Sequence, residues 1–342
     1  MSDALRPYAS LYEDPEGPGD ARPTVFQVIE DNDVVGKWQG RVVLVTGGTS
    51  GIGTTTVKAL HQTGADVYFT ARDADKGQKT VDAVRKESSG SGKLDFVLMD
   101  LDSLESVKEG ANTFLGRSGG KLNVLINNAG VLAGPEKRTK EGFESQFGVN
   151  HLAHFVLICM VLPALVKSST AEFNSRVICL TSSAHRASPV LFDDPNFEKP
   201  GSYNPMLAYG QSKTANAWTA NYIDRVYGPR GVHANAVHPG AVLSGLFVHL
   251  DPAIMAEWEK DPKLMAAAQT AEQGAATTVW AAVSPVWEGK GGEYLADCQI
   301  GAPTDDLTSI LSAGTAPWAK DVEGEDRLWK LSEELTGVRV AL

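Results

Sequence analysis

Residues 42–60 read VVLVTGGTSGIGTTTVKAL, and this stretch decides the fold class. It opens with a run of apolar and β-branched residues, which predicts a buried strand. A glycine-rich loop follows directly, and then a run of helical composition. In such a unit Gly47 allows a tight turn, Gly51 lets the backbone approach a phosphate, and Gly53 lets helix and strand pack closely. The stretch therefore predicts the first unit of a dinucleotide-binding fold, with phosphate held at the helix N-terminus. The loop residues expected at the ligand are Gly47, Thr49, Ser50, Gly51, Ile52 and Gly53.

The same alternation continues along the chain. Stretches of helical composition separate further strand-like runs, and this order is typical of parallel strands joined by right-handed crossovers. The expected fold is α/β, a doubly wound Rossmann fold with a parallel sheet of about seven strands and helices on both faces. Ligands in such sheets bind beyond the carboxyl ends of the strands, so motifs directly after a strand matter most. The further apolar, β-rich runs lie at 66–70, 94–99, 122–126, 176–180 and 232–237.

The chain divides into three segments by composition. Residues 1–40 form an N-terminal extension, rich in proline, glycine and acidic residues over 1–24 and compatible with a short amphipathic helix over 25–40. Residues 41–302 hold the Rossmann-type domain, and residues 303–342 form a C-terminal tail. Within the domain, residues 244–270 are expected to form a lid over an apolar pocket.

Composition and charge exclude several function classes. The 342-residue chain has a net charge of −11, so it would repel the phosphate backbone of a nucleic acid. Its N-terminus has neither the basic nor the apolar region of a secretory signal, and we expect a cytoplasmic protein. The apolar run 152–166 is too short for a membrane span and is broken by Pro163, so a buried helix is expected. His151 and His154 are not paired with carboxylates at metal-ligand spacing, and no metal site is predicted.

The end of the second strand indicates which dinucleotide the loop would bind. Sites for NAD usually carry an acidic residue there, about 20 residues further on, to bind the ribose. This chain reads YFTAR over 68–72 instead. An arginine can clamp a 2′-phosphate through paired hydrogen bonds, and Ser50 can donate another. We therefore expect NADP(H) bound by Arg72, the alternative being a surface ion pair between Arg72 and Asp73.

Asp100 and Leu101 follow the third strand and are expected at the adenine of the same cofactor. A carboxylate at this position can accept a hydrogen bond from the adenine amino group.

A tyrosine and a lysine stand four residues apart in YGQSK, residues 209–213, which puts both on one face of a helix. Reducing a ketone needs a hydride from the nicotinamide and a proton for the nascent alkoxide, which a tyrosine hydroxyl can donate. The ordinary tyrosine pKa of about 10 is high, and an ammonium about 4 Å away is expected to lower it by roughly 1 to 3 units. We therefore predict Tyr209 as general acid and base, with Lys213 as its partner and as a ligand of the nicotinamide ribose.

Two further polar groups complete the predicted catalytic site. The fifth strand is followed by two serines, and we expect Ser183 to donate a hydrogen bond to the substrate carbonyl, with Ser182 as the alternative. Asn150 lies early in the long central helix, where its amide is expected to hold a water that relays protons to Lys213.

Taken in order, these motifs resemble those of the short-chain dehydrogenase/reductase superfamily. Within it, the chain is most similar to the branch of retinol dehydrogenases and the WW-domain oxidoreductase, through TARDADKG (70–77), FGVNHLAHF (147–155) and LAYGQSKTAN (207–216). The resemblance covers about residues 40–300. Its superfamily motifs are TGGTSGIG (46–53), NNAG (127–130), Asn150, the serine pair, YGQSK (209–213) and HPGAVLS (238–244).

The resemblance implies further contacts and an assembly. It implies a homodimer or homotetramer formed through two long helices at about 141–167 and 207–227, surfaces that the N-terminal extension or the C-terminal tail could block. It also implies that Asn128, Ala129 and Gly130 line the cofactor, and that Pro239, Gly240, Val242 and Ser244 cradle its nicotinamide end.

The expected function is NADP(H)-dependent interconversion of a hydrophobic ketone or aldehyde and its alcohol. The segment 184–207 is expected to shape the pocket rim, and retinoid, steroid, polyketide and terpenoid substrates are left open. The alternatives are a non-redox enzyme on the same fold, such as an isomerase or cyclase, or a cofactor-bound regulator. Apolar side chains in the lid that are candidates for the pocket lining are Leu246, Phe247, Ile254, Met255 and Trp258.

Overall fold

The sheet is built outward from the strand predicted at 42–46. The computed structural model describes residues 3–132, 135–242, 256, 259–309 and 311–341. Every residue of Val42–Val45 is buried, because this strand has a parallel neighbour on each side. The strands are Val42–Val45 (β1), Asp66–Ala71 (β2), Leu94–Leu98 (β3), Val124–Asn127 (β4), Ser175–Leu180 (β5), Val232–Val237 (β6), Ala241–Val242 (β7), Ala268–Gln269 (β8), Tyr294–Ala296 (β9) and Gln299–Ile300 (β10).

Helices follow the strands, and several begin at a side chain that caps them. The side-chain oxygens of Asp73, Ser103 and Asn204 each accept a backbone N–H of the helix that follows. The helices are Val25–Asp31 (α1), Gly51–Gln62 (α2), Ala74–Glu87 (α3), Leu104–Arg117 (α4), Ser145–Phe147 (α5), Ala153–Ser168 (α6), Pro205–Tyr227 (α7), Pro262–Ala267 (α8), Ala271–Gly274 (α9), Ala276–Val283 (α10) and Val322–Thr336 (α11).

The main sheet has eight strands in the order β10-β9-β6-β5-β4-β1-β2-β3. All six strands predicted from the sequence are present, and they are parallel. The prediction of about seven strands is exceeded by one, because β10 pairs antiparallel with β9 across a two-residue turn. Asp297 and Cys298 in that turn have φ of 53° and 51°, the left-handed backbone that such hairpins need. The strands β7 and β8 form a separate small parallel pair.

Helices cover both faces of the sheet, as the alternation predicts. On one face α4, α6 and α7 share a buried apolar cluster with the sheet, and on the other α1, α2, α3 and α10 form a second cluster. The chain runs from β1 to β3 toward one edge and from β4 to β6 toward the other. The order therefore reverses between β1 and β4, and a ligand crevice opens beyond the carboxyl ends of the strands there.

The N-terminal extension is packed against the second cluster. Helix α1 covers residues 25–31 only, and its Val25, Val28 and Ile29 are fully buried. Trp38 is also buried and packs edge-on against Phe173. Part of the N-terminal extension is therefore built into the core of the domain.

The C-terminal helix α11 covers the face formed by α6 and α7. Trp329 stacks on Tyr222 of α7, with ring centroids 4.1 Å apart, and lies edge-on to Phe155 of α6 at 4.9 Å. The buried His151 Nε2 lies 2.8 Å from Ser332 Oγ on α11. The C-terminal tail therefore covers this face of the two helices, as the sequence analysis allowed, and the assembly itself stays a prediction.

One helical stretch, Ser145–Ser168, is long and apolar enough to cross a membrane, but 78% of its apolar window is buried inside the protein. This burial agrees with the expectation of an interior helix. Pro163 does not break the helix, which continues to Ser168. A π-helical turn at Gly148–Leu152 joins α5 to α6, which makes the stretch longer than the sequence suggests.

Replacing Trp329 with alanine should destabilise the fold, because a buried tryptophan loses its stacking partners and leaves a cavity. We expect a loss of about 3 kcal/mol or more in the free energy of unfolding, measured by urea titration. Val322→Ala on the same helix, whose side chain is 55% exposed, should cost less than about 0.5 kcal/mol. Equal small losses for both variants would mean that α11 does not cover α6 and α7.

Candidate active site at the carboxyl edge of the sheet

The glycine-rich loop has the geometry of a phosphate cradle. Gly47 has a φ of +69°, which other residues rarely adopt. A Cβ at Gly53 would lie 2.1 Å from the Gly47 carbonyl oxygen, so only glycine lets α2 begin this close to β1. Ser50 occupies the N-cap of α2 but makes no capping hydrogen bond with its side chain. The N-terminus of α2 therefore faces the crevice with a serine hydroxyl beside it.

A cavity of about 670 Å³ runs from this loop along the carboxyl edge of the sheet. It is large enough for a dinucleotide and the reacting end of a substrate. Of the residues predicted for cofactor or catalysis, those lining it are Gly47, Thr49, Ser50, Gly51, Ile52, Gly53, Arg72, Asp100, Leu101, Asn128, Ala129, Gly130, Tyr209, Lys213 and Pro239.

The remaining cofactor predictions fall elsewhere. Gly240 and Val242 do not line the cavity: Gly240 packs beside Gln269, and Val242 is buried in β7 against Gly274. Ser244 lies outside the described residues, as do Leu246, Phe247, Ile254, Met255 and Trp258 of the expected lid.

Arg72 lies at the cavity wall beyond β2, which is separated from β5 by β4 and β1 in the sheet order. It follows β2, and its side chain is exposed at the cavity wall together with Asp100 and Asp102. Asp73, the alternative partner of Arg72, caps α3 by accepting the Lys76 N–H at 2.8 Å. Arg72 therefore adds a positive charge to the cavity wall that the capping role of Asp73 leaves in place.

Thr46, the last residue before the loop, ties three parts of the site together. Its hydroxyl oxygen accepts the backbone N–H groups of Asn128 and Ala129, at 2.9 and 3.0 Å. It also lies 2.9 Å from His154 Nε2, whose Nδ1 lies 2.9 Å from the Asn150 carbonyl oxygen. This set of contacts fits a neutral His154 that donates from Nδ1 and accepts from Thr46, and burial lowers the pKa of His154 to about 4. Thr46 and His154 are positioning residues that the sequence reasoning missed.

Asn150 has a different geometry from the one expected. It lies in the π-helical turn, where its Oδ1 accepts the Val131 N–H at 2.8 Å and its Nδ2 donates to the Val131 carbonyl and the Ser212 hydroxyl. Both amide protons are therefore used within the protein, and the predicted role of the amide as holder of a relay water is not supported. The amide instead clamps the loop after β4 onto the helix that carries Ser212 and Lys213.

The serine beside the catalytic tyrosine is Ser182, not Ser183. The Ser182 side chain lies close enough to Tyr209 to lower the pKa of its hydroxyl, against the larger effect of burial, and its Oγ accepts the Ala184 N–H at 3.1 Å. Ser183 begins a 3₁₀ turn, Ser183–Ala187, and its backbone N–H donates to His238 Nδ1. The geometry favours Ser182, the alternative from the sequence, over Ser183, because the chain enters a 3₁₀ turn at Ser183.

Tyr209 and Lys213 lie on the same face of α7, as their spacing predicts, and both are buried. The Lys213 Nζ lies 5.5 Å from the Tyr209 ring centroid and donates to the Leu180 carbonyl at 3.2 Å. Burial raises the pKa of Tyr209 to about 12, against a lowering effect of Ser182, and burial lowers the pKa of Lys213 to about 8. The predicted lowering of the Tyr209 pKa is therefore wrong here, because removal of the hydroxyl from water outweighs the lowering effect of Ser182.

The segment 184–207 contacts the wall of the cavity, as expected for a rim. Arg138, which lines the cavity, donates to the backbone carbonyls of Asn196 and Phe197. Gln146, also in the lining, donates to the Pro205 carbonyl at 2.9 Å. Within the described part of the chain, there is no group of three or more His, Cys, Asp or Glu residues arranged to hold a metal ion.

The fold and the cavity together define a dinucleotide-binding α/β protein with a tyrosine, lysine and serine at one end of its crevice. The family model described as short chain dehydrogenase matches residues 41–192. The short-chain dehydrogenase/reductase prx1 of Penicillium roqueforti is 42% identical over 325 residues, covering 95% of this chain and 93% of the relative. Retinol dehydrogenase 14 of Homo sapiens is 33% identical over 315 residues, covering 89% and 88%.

The chain belongs to the short-chain dehydrogenase/reductase family of oxidoreductases and to its retinol-dehydrogenase-like branch, so the resemblance carried by the motifs is confirmed. A solved structure of RhlG from Pseudomonas aeruginosa, an active-site complex with NADP, matches with a TM-score of 0.60 and 27% identity. The match covers 75% of this chain and 94% of that one.

Replacing Arg72 with glutamate should weaken the binding of NADPH far more than that of NADH. A charged hydrogen bond to phosphate is worth about 1.5 to 3 kcal/mol, so we expect roughly a 10- to 100-fold rise in the NADPH Kd, measured by fluorescence titration. Lys79→Glu on α3 makes the same charge change at an exposed residue away from the cavity and serves as the control. Equal losses for NADPH and NADH would contradict a 2′-phosphate site at Arg72.

Proposed function

We propose that the protein is an NADP(H)-dependent oxidoreductase that interconverts a hydrophobic ketone or aldehyde and its alcohol by hydride transfer. The observation that carries this proposal is the placement of Tyr209 and Lys213 on one face of α7, at the cavity that also holds the glycine-rich loop, with Ser182 close enough to lower the pKa of Tyr209. This arrangement offers two hydroxyl groups to one carbonyl oxygen.

The residues at the other end of the cavity fit a phosphorylated dinucleotide. The glycine loop has no room for a Cβ at Gly53, and the α2 N-terminus and Arg72 supply positive charge at two separate places along the cavity. These places would hold the pyrophosphate and the 2′-phosphate. When bound, the nicotinamide supplies or accepts the hydride. The NADP complex of the similar RhlG structure supports the same choice of cofactor.

Tyr209 is the proton donor in this proposal. With a pKa of about 12 its hydroxyl stays protonated near neutral pH, which suits reduction of a carbonyl. Ser182, next to Tyr209, would donate a hydrogen bond to the substrate oxygen. Lys213, with a pKa of about 8, is mainly charged at neutral pH and would stabilise the phenolate left after proton transfer.

The cavity wall near Tyr209 supports an apolar substrate. Val131, Leu132, Pro135, Val149 and Leu180 contribute to this lining. A relative named as a retinol dehydrogenase indicates the same chemical class, a hydrophobic alcohol or its carbonyl form. Retinoid, steroid, polyketide and terpenoid substrates all belong to that class.

The proposal also includes a cytoplasmic location and an oligomer. The three cysteines, Cys159, Cys179 and Cys298, are free and buried, as expected in a reducing compartment. A homodimer or homotetramer of this chain would need an interface outside the α6–α7 face that α11 covers, and light scattering gives its mass.

Replacing Tyr209 with phenylalanine should abolish NADPH consumption with a panel of apolar ketones and aldehydes, because the proton donor is lost while the ring is kept. We expect a fall of about 100-fold or more in kcat, followed by absorbance, with NADPH binding preserved. Tyr227→Phe, at the far end of the same helix, should keep full activity. Unchanged consumption in the Tyr209 variant would contradict its role as proton donor.

The two neighbouring serines provide a matched pair of variants. Ser182→Ala removes a hydroxyl next to Tyr209 and should lower kcat by about 100-fold, the usual cost of losing one donor to a developing oxyanion. Ser183→Ala leaves that hydroxyl in place and should change kcat by less than about threefold. The opposite order of effects would restore Ser183 as the catalytic serine.

A further inference from the structure

The most heavily bonded side chain of the N-terminal extension is a buried arginine. Arg22 is 4% exposed, and its two Nη atoms donate to the three successive carbonyl oxygens of residues 266–268 at 2.6 to 3.2 Å. Its Nη2 also donates to the Gly17 carbonyl, and its Nε donates to both oxygens of Asp20 at 2.9 and 3.0 Å. Five separate groups therefore fix one guanidinium, and they join two parts of the chain about 245 residues apart.

A glutamine from the second part completes the junction. Gln273 is 1% exposed, and its Oε1 accepts the Gly19 N–H at 2.9 Å. Its Nε2 donates to Asp20 Oδ1 at 3.0 Å and to the Arg22 carbonyl. Burial acts to raise the pKa of Asp20, but hydrogen bonds from Arg22 and Glu16 lower it to about 2, so the pair stays charged at neutral pH.

The carbonyls that Arg22 holds belong to the segment that supports the end of the cofactor cavity. Ala268 and Gln269 form β8, which pairs in parallel with Ala241 and Val242 of β7. Gly240, just before β7, has so little space that a Cβ there would lie 2.1 Å from Gln269 Nε2. The position of residues 239–242 is therefore set by the segment that Arg22 fixes.

This support acts on one end of the cavity only. Residues 239–242 follow β6, beyond the strand that leads to Ser182, and Pro239 lines the cavity together with Tyr209 and Lys213. Arg72 follows β2, and three strands, β5, β4 and β1, lie between β6 and β2 in the sheet order. A displacement of residues 239–242 would thus change the geometry of the end of the cavity where hydride transfer occurs. It would leave the end that holds the 2′-phosphate unchanged.

We propose that Arg22, held by Asp20 and Gln273, is a positioning residue for the nicotinamide end of the cofactor site, so that the N-terminal extension is part of the active-site architecture. The inference rests on the proposed NADP(H)-dependent function. A purely structural role for the same contacts would lower stability without distinguishing one end of the cofactor from the other.

The chain offers a matched control for that distinction. Arg176 is 3% exposed, donates from Nη1 to the carbonyls of Ala282 and Ser284 at 2.9 Å, and forms an ion pair with Glu288. It lies near the start of β5, at the opposite edge of the sheet from the cavity. Arg176→Lys therefore removes a similarly buried guanidinium group, and the change lies away from the cofactor site.

The test compares the whole cofactor with its adenine half. Kd values for NADPH and for adenosine 2′,5′-bisphosphate are measured for the wild type, Arg22→Lys, Arg22→Ala, Asp20→Asn and Arg176→Lys, together with kcat and KM for a carbonyl substrate. We expect the Arg22 variants to raise the NADPH Kd and the substrate KM by about tenfold, and the bisphosphate Kd by less than about twofold. Arg22→Lys keeps the positive charge, so this variant still tests the inference if Arg22→Ala fails to fold.

Arg176→Lys should lower the melting temperature and leave the ratio of the two Kd values unchanged. The inference is overturned if the Arg22 variants change both Kd values equally or change neither, or if Arg176→Lys changes the ratio by the same amount. A wild-type protein that neither binds NADPH nor consumes it with any carbonyl would instead overturn the proposed function, so the two failures are distinguishable.

Discussion

The site depends on the contacts that the hydroxyl of Thr46 makes. This hydroxyl stands where the sheet order reverses, and it joins the end of β1 to the loop after β4 and, through His154, to the π-helical turn of Asn150. These three parts come from distant stretches of sequence and meet only because β1 and β4 are neighbours. The phosphate loop and the catalytic helix are thereby held in one frame, with the cavity between them.

Burial of the catalytic side chains disfavours their charged forms, and this suits the proposed proton transfer. Tyr209 and Lys213 both lie where water has little access, so the charged form of each is disfavoured and their pKa values move apart, to about 12 for the tyrosine and about 8 for the lysine. A neutral tyrosine beside a serine hydroxyl is ready to give a proton, and a lysine close to its titration range responds to a nearby negative charge. The surrounding polar contacts, from Asn150 to Val131 and from Thr181 to the Lys213 carbonyl, keep these groups in place.

Much of the fold could be predicted from the sequence because its signals are local. The six long strands carry continuous apolar runs, and the glycine loop is a contiguous motif. The strands β7 to β10 have two or three residues each, too few for any periodicity to show. The choice between Ser182 and Ser183 depends on how the chain turns after β5, and the packing of Arg22 depends on partners far away in sequence. The same holds for α11, which lies in the predicted C-terminal tail and packs on α6 and α7, far away in sequence.

The most direct test of the central claim is the transfer of deuterium from NADPH deuterated at both C4 positions to a hydrophobic carbonyl substrate. The account predicts that the alcohol product carries one deuterium on the former carbonyl carbon for each NADPH consumed. A product that forms without label and without net consumption of NADPH would contradict it, and would show that this fold holds the cofactor for a reaction other than hydride transfer.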